Sequence, residues 1–127
     1  MDLAKMLDET AVCVKVRAGA FLFREDEDCV GVYVVRRGRI ALVWQSGDVW
    51  PMDVVESGWV IGLAAAINGT CSIGAKVVED AELGFVPRNT FLRLLESSPS
   101  FSVAVTQQLG SEIAHMRGIA ATGRPGT

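Results

Sequence analysis

The chain divides into three stretches by the spacing of its apolar residues. Residues 2–9 place Leu3, Met6 and Leu7 on one side of a short amphipathic helix. From Val12 to about Phe85 the period falls to two. Val12, Val14 and Val16 alternate with Cys13, Lys15 and Arg17, and Phe21-Leu22-Phe23 follows the turn candidate Arg17-Ala18-Gly19. Val30 to Val35 reads as a strand, Arg36-Arg37-Gly38-Arg39 as a tight reversal, and Ile40 to Trp44 as its return. Ser46-Gly47-Asp48 predicts another turn, Val49 to Val55 another strand, and Ser57-Gly58 one more turn. Strands of this length divided by glycine-centred turns predict an all-β sandwich or barrel. Beyond Leu83 to Val86 the period becomes helical. Phe91, Leu94 and Leu95 mark one helix, and Ser97-Ser98-Pro99 ends it and starts another. Phe101, Val105, Leu109, Ile113 and Met116 then step by four or three along a helix of about five turns. Gly118 onwards is small and polar, so residues 1–118 are expected to form one domain and 119–127 a flexible tail.

One segment interrupts the β-rich body. Gly58 to Gly62 predicts a strand and turn, Leu63 to Ile67 a very short helix, Asn68-Gly69 its end, and Cys71 to Val78 a returning strand. A helix opening on glycine leaves unpaired backbone N–H groups at its start, and these favour a phosphate. The candidate ligand residues at that start are Gly62, Leu63, Ala64 and Ala65.

Composition narrows the classes. The 127 residues carry a formal net charge of -3, with a pI near 5.1, against the basic stripe of a nucleic-acid groove. No apolar run approaches the roughly 20 residues of a membrane span. MDLAKMLDET lacks the apolar stretch of a signal peptide. Cys13, Cys29 and Cys71 are odd in number and show no CxxC pairing, as in a reduced, cytoplasmic protein. Each cysteine sits in an apolar run, where packing is the ordinary role.

Other candidate chemistry is sparse. Glu25-Asp26-Glu27-Asp28 lacks the alternating oxygen ligands and central glycine of a calcium loop, so it is expected to be solvated. Arg36, Arg37 and Arg39 are expected on a solvated turn. His115 is the only histidine, which leaves neither a metal cluster nor an acid/base pair, so no enzyme, metal or cofactor is expected. Trp44, Trp50 and Trp59 are expected in packing or an interface.

Four landmarks occur in order: Gly19-Ala20-Phe21-Leu22-Phe23-Arg24, Tyr33-Val34-Val35-Arg36-Arg37-Gly38-Arg39, Gly58-Trp59-Val60-Ile61-Gly62 and Glu79-Asp80-Ala81-Glu82-Leu83. With the helix-body-segment-helices order, they make the chain from Leu3 to Met116 resemble the cyclic nucleotide-binding domain of the catabolite-activator (Crp/Fnr) regulators. The resemblance implies a fold that is mainly β with flanking helices, a double-stranded β-helix or jelly roll, with a regulatory role. In such regulators the long last helix mediates dimerisation, which assigns Val105, Leu109, Ile113 and Met116 to a homodimer contact. A helix-turn-helix domain follows that helix in the transcription factors. Here the sequence stops at Thr127, so direct nucleic-acid binding is not expected, and neither is a membrane; an unidentified protein partner stays open.

The family cassette runs Gly-Glu-x-Ala-Leu-x-x-x-x-x-Arg-Ser-Ala. Its glutamate accepts the ribose 2′-OH and its arginine forks onto the cyclic phosphate. Gly62 keeps the glycine, Leu63 stands at the glutamate, and Ala64 and Ala65 keep small residues. Counted back from Glu79-Asp80, Cys71 stands at the arginine and Ser72 at the serine, with the loop one residue short. Shifting by one puts Ser72 at the arginine, and neither register supplies a guanidinium; the resemblance thus implies Gly62, Leu63, Ala64, Ala65, Cys71, Ser72 and Ile73 as the ligand residues. Losing the phosphate contact costs about 2–5 kcal/mol, and losing the carboxylate bond about 1.5–3 kcal/mol. Together, about 4–7 kcal/mol corresponds to a roughly 10³–10⁵-fold weaker complex. Lys76, four residues beyond Ser72, lies about 13 Å along the strand, too far to substitute. The resemblance thus implies a sensor or interaction module that does not hold cyclic AMP or cyclic GMP tightly. Three alternatives remain: a sensor of another small ligand, a weak cyclic nucleotide binder, or a structural dimer with Leu63, Ile67 and Ile73 filling the pocket.

Overall fold

The computed structural model describes residues 3–44 and 50–122, with side chains for 3–43 and 54–110. The expected turn at Ser46-Gly47-Asp48 and the last five residues lie outside these ranges. The elements run α1 (Leu3–Asp8), β1 (Val12–Val16), β2 (Phe21–Phe23), β3 (Gly31–Trp44), β4 (Trp50–Val55), β5 (Val60–Ile61), α2 (Leu63–Asn68), β6 (Gly74–Pro87), α3 (Arg88–Ser97) and α4 (Pro99–Thr122). The body is mainly antiparallel β with flanking helices, as expected. Its helix α4 continues four residues past Gly118 into the stretch expected as tail.

β3 and β6, each 14 residues long, form the spine. Their register runs from Gly31↔Pro87 to Val43↔Gly74. One half of this ribbon pairs with β1 and β5, the other with β2 and β4. The reversal expected at Arg36-Arg37-Gly38-Arg39 is absent: β3 passes straight through it. Gly38 has a φ of 87°, and the β3–β6 register shifts between Val35 and Ile40. These are bulges, which bend the paired strands and increase their twist. A Cβ at Gly38 would stand 2.6 Å from the Asp80 carbonyl oxygen, so the bend needs glycine for both space and conformation. The arginines accordingly lie along a strand. Arg36 Nε pairs with Asp8 at 2.7 Å, holding α1 to β3, and Arg39 Nε lies 3.9 Å from Glu79.

Alternation along β3 sorts its side chains into two cores. Val32 and Val34 face α1, α3 and α4 in a cluster with Leu3, Leu7, Phe91, Phe101 and Val105. Tyr33 and Val35 face the inside of the roll with Phe23, Ile40, Val77 and Leu83. Phe91 and Phe101 meet edge to face, with centroids 5.8 Å apart. Ser98 starts α4, its Oγ accepting from the Phe101 N–H at 3.3 Å, as its position before Pro99 predicts.

The first half of the stripe on α4, expected as a dimer contact, is used within the chain. Val105 is only 2% exposed and belongs to the chain's own core, and Leu109 packs against the same cluster. A sheet face this apolar needs cover, and the first turns of α4 supply it. Ile113, Met116 and His115 have side chains outside the described set. Cys13 also departs from the packing role: β1 is an edge strand, and Val12 and Cys13 are exposed. Among the described residues, no helix is long and apolar enough to cross a membrane.

Candidate functional site

α2 is held as a separate short piece. Gly62 precedes it with φ 94°, and Gly69 closes it with φ 95°, donating its N–H to the Ala65 carbonyl at 2.6 Å. Both positions use the left-handed conformation that glycine adopts freely. The helix lies between the two cores. Leu63 and Ala66 are fully buried among the helix-side residues, whereas Ala65 and Cys71 belong to the roll interior.

A cavity opens beside α2. All seven sequence-predicted residues line it: Gly62, Leu63, Ala64, Ala65, Cys71, Ser72 and Ile73. Phe23, Leu42, Val55, Trp59, Val60 and Ile61 complete the described wall. The cavity volume is about 70 Å³. Small-molecule sites typically span about 300–1,000 Å³, so this cavity is small for a purine nucleotide. None of the described lining side chains is charged. Lys76 is not among them; its Nζ sits 5.8 Å from the Phe21 ring centre, where Arg24 also stacks at 3.9 Å. Trp59, 37% exposed, is placed at the wall rather than in either core. Ile67 is exposed and does not line the cavity, so it cannot plug it as the structural alternative supposed. The side chains of Trp44 and Trp50 lie outside the described set.

The loop before β3 closes the far end of the segment. Asp26 donates its N–H to the Cys71 carbonyl at 2.7 Å, Cys71 to Glu27 at 2.9 Å, and Cys29 to Gly69 at 2.8 Å. The acidic run is therefore more than a solvated loop: Asp26, Glu27 and Asp28 keep exposed side chains while their backbone pins residues 69–71. Among the described residues no group of three metal-ligating side chains gathers there or elsewhere. Burial pushes the Cys71 thiol up to about 11, with Cys29, Glu27 and Asp28 adding to it. Burial also raises Cys29, against the opposing effects of its bond to the Gly31 carbonyl and of Arg88. Tyr33 is raised by burial first and by both cysteines after it. At neutral pH these groups are uncharged, and of the three Cys71 lines the cavity.

Arg88 is the residue that sequence reading missed. Its Nε donates to the Ala66 carbonyl of α2 at 2.7 Å, and its N–H to the Val30 carbonyl at 3.0 Å. A cation at the first position of a helix opposes that helix's dipole. The guanidinium instead serves the C-terminal end of α2, where a positive charge is favourable. Arginine directly after Pro87, at an unfavourable place for charge, was the available signal.

The comparisons agree with this architecture. The sequence model of the cyclic nucleotide-binding domain matches residues 13–98. A search of curated protein sequences found no match. Among solved structures, the catabolite activator protein of Thermus thermophilus superposes with a TM-score of 0.77 at 19% identity, over 88% of this chain and 54% of that one. The chain thus spans about half the length of that regulator. The sensor domain of the transcriptional regulator DNR from Pseudomonas aeruginosa gives 0.70 at 18% identity, over 95% and 82%. A cyclic nucleotide-binding-like protein from Brucella abortus gives 0.63 at 28% identity, over 73% and 82%. The order of elements, the short helix between two glycines and the match over residues 13–98 place this chain in the cyclic nucleotide-binding domain family, with the β-roll of Crp/Fnr-type regulators.

Proposed function

We propose that this chain is a regulatory small-molecule-sensing domain whose phosphate cassette is degenerate and does not hold cyclic AMP or cyclic GMP tightly. The observation that carries the reading is the described cavity wall, which offers neither a carboxylate for a ribose nor a guanidinium for a phosphate. An anion moved from water into such surroundings loses solvation that nothing charged replaces. A regulatory role is supported by relatives named as a catabolite activator and a transcriptional regulator's sensor domain, while the same fold also occurs in an EAL enzyme. Pairing of two copies stays within the proposal through the half of α4 beyond Leu109, since Val105 is already used inside the chain.

The test is calorimetric titration of cyclic AMP and cyclic GMP into the purified protein. No heat is expected up to millimolar concentration in a sample that melts cooperatively. Micromolar binding of either nucleotide overturns the reading.

A further inference from the structure

The cavity beside α2 has a chemistry of its own. Phe23, Leu42, Ile61 and Leu63 supply apolar surface, and Trp59 supplies an aromatic face at the wall. The Ser72 hydroxyl is exposed on the same lining. The Cys71 thiol is buried and uncharged at neutral pH. A site of this kind gains by removing apolar ligand area from water and by stacking on aromatic rings. Its described wall penalises a charged ligand, whose hydration those side chains do not replace. The cavity is about 70 Å³, about half of a cavity that holds benzene, so a short alkyl chain or the edge of a ring enters it and the rest of the molecule lies at the opening.

We propose that this cavity binds a neutral, predominantly apolar small molecule carrying an aromatic ring or alkyl chain and at most a hydrogen-bonding group for Ser72. The proposal rests on the reading that the cassette does not hold a cyclic nucleotide tightly, and it names the class of ligand that takes its place. The ligand would touch both the roll interior, through Ala65 and Cys71, and the residue that opens the helix-side core, Leu63. It would therefore bear on α2, which Arg88 joins to the start of α3.

The test uses two fluorescent probes that differ chiefly in charge: neutral N-phenyl-1-naphthylamine and anionic 8-anilinonaphthalene-1-sulfonate. The full chain is titrated alongside two variants at exposed lining positions, Ala64→Trp to occupy the mouth and Ser72→Asp to place a charge on the wall. The neutral probe is expected to bind one to one, at least about tenfold more tightly than the anionic one, a ratio corresponding to a single step of affinity. Each variant is expected to weaken the neutral probe by about tenfold or more while keeping a cooperative melt. If Ala64→Trp does not fold, Ser72→Asp decides alone. No binding of the neutral probe, equal binding of both probes, or binding unchanged in the folded variants overturns the proposal. The nucleotide titration reads the underlying hypothesis separately. Silence there with no neutral-probe binding removes only the ligand class, whereas micromolar nucleotide binding removes the foundation as well.

Discussion

The two apolar cores lie back to back on the same strands and are finished differently. On the helix side, Phe91 of α3 is fully buried and Phe101 of α4 is 2% exposed, the two rings meeting edge to face. Inside the roll, Phe23, Tyr33 and Phe85 form a row with centroids 6.2 and 5.0 Å apart, yet the row stops short and leaves the cavity beside α2. One core is filled by the chain itself, while the other leaves room beside α2. A core of the first kind has only something to lose by truncation. A core of the second kind has something to gain by enlargement.

The contrast is most exposed to failure at Phe91. Phe91→Ala is expected to cost about 3–5 kcal/mol, read as the shift in the chemical denaturation midpoint. A loss below about 1 kcal/mol would show that the helix side is not close-packed. Next comes the joint between the two sides. Arg88→Met removes a charged donor from the Ala66 carbonyl and is expected to cost about 1.5–3 kcal/mol; amide exchange should then rise first in residues 63–69. If α2 stays as protected as before, the guanidinium does not hold it. Within the roll, Ile73→Phe adds volume at the cavity wall and is expected to stabilise by about 0.5–1 kcal/mol. A destabilisation there would mean that the space is not available to the chain.

The last comparison is in pH dependence. Cys71 is raised from an ordinary value of 9.0 to about 11 in the folded chain. The folded state therefore keeps the neutral thiol while the unfolded chain ionises. Its contribution is complete below about pH 9 and is lost as pH climbs towards 11. Melting curves of the wild type and Cys71→Val should diverge over that window, the wild type falling faster. Parallel curves would show that the thiol is not desolvated.

These differences also explain what could be read from the chain alone. The order of elements and the seven residues around the cavity were legible because each depends on local signals: period two, period 3.6, and glycines at Gly62 and Gly69. The bulge at Gly38 was not. Arg36-Arg37-Gly38-Arg39 looks the same locally whether the strand turns back or bends, and only the long partner β6 chooses between them. The inward face of Val105 was hidden for a related reason, since an apolar stripe does not state which apolar surface it meets. Arg88 went unseen because its partner is a backbone carbonyl 22 residues earlier, and no side-chain pattern records such a bond.

The unbroken ribbon of β3 and β6 has a mechanical consequence. Because successive residues of one strand serve opposite cores, neither core can come apart while the ladder between those strands stays closed. The two sides then share one opening event, and their slowest-exchanging amides should report the same free energy. A molecule lodged in the roll would consequently slow hydrogen exchange in Val32 and Val86, on the face it never touches.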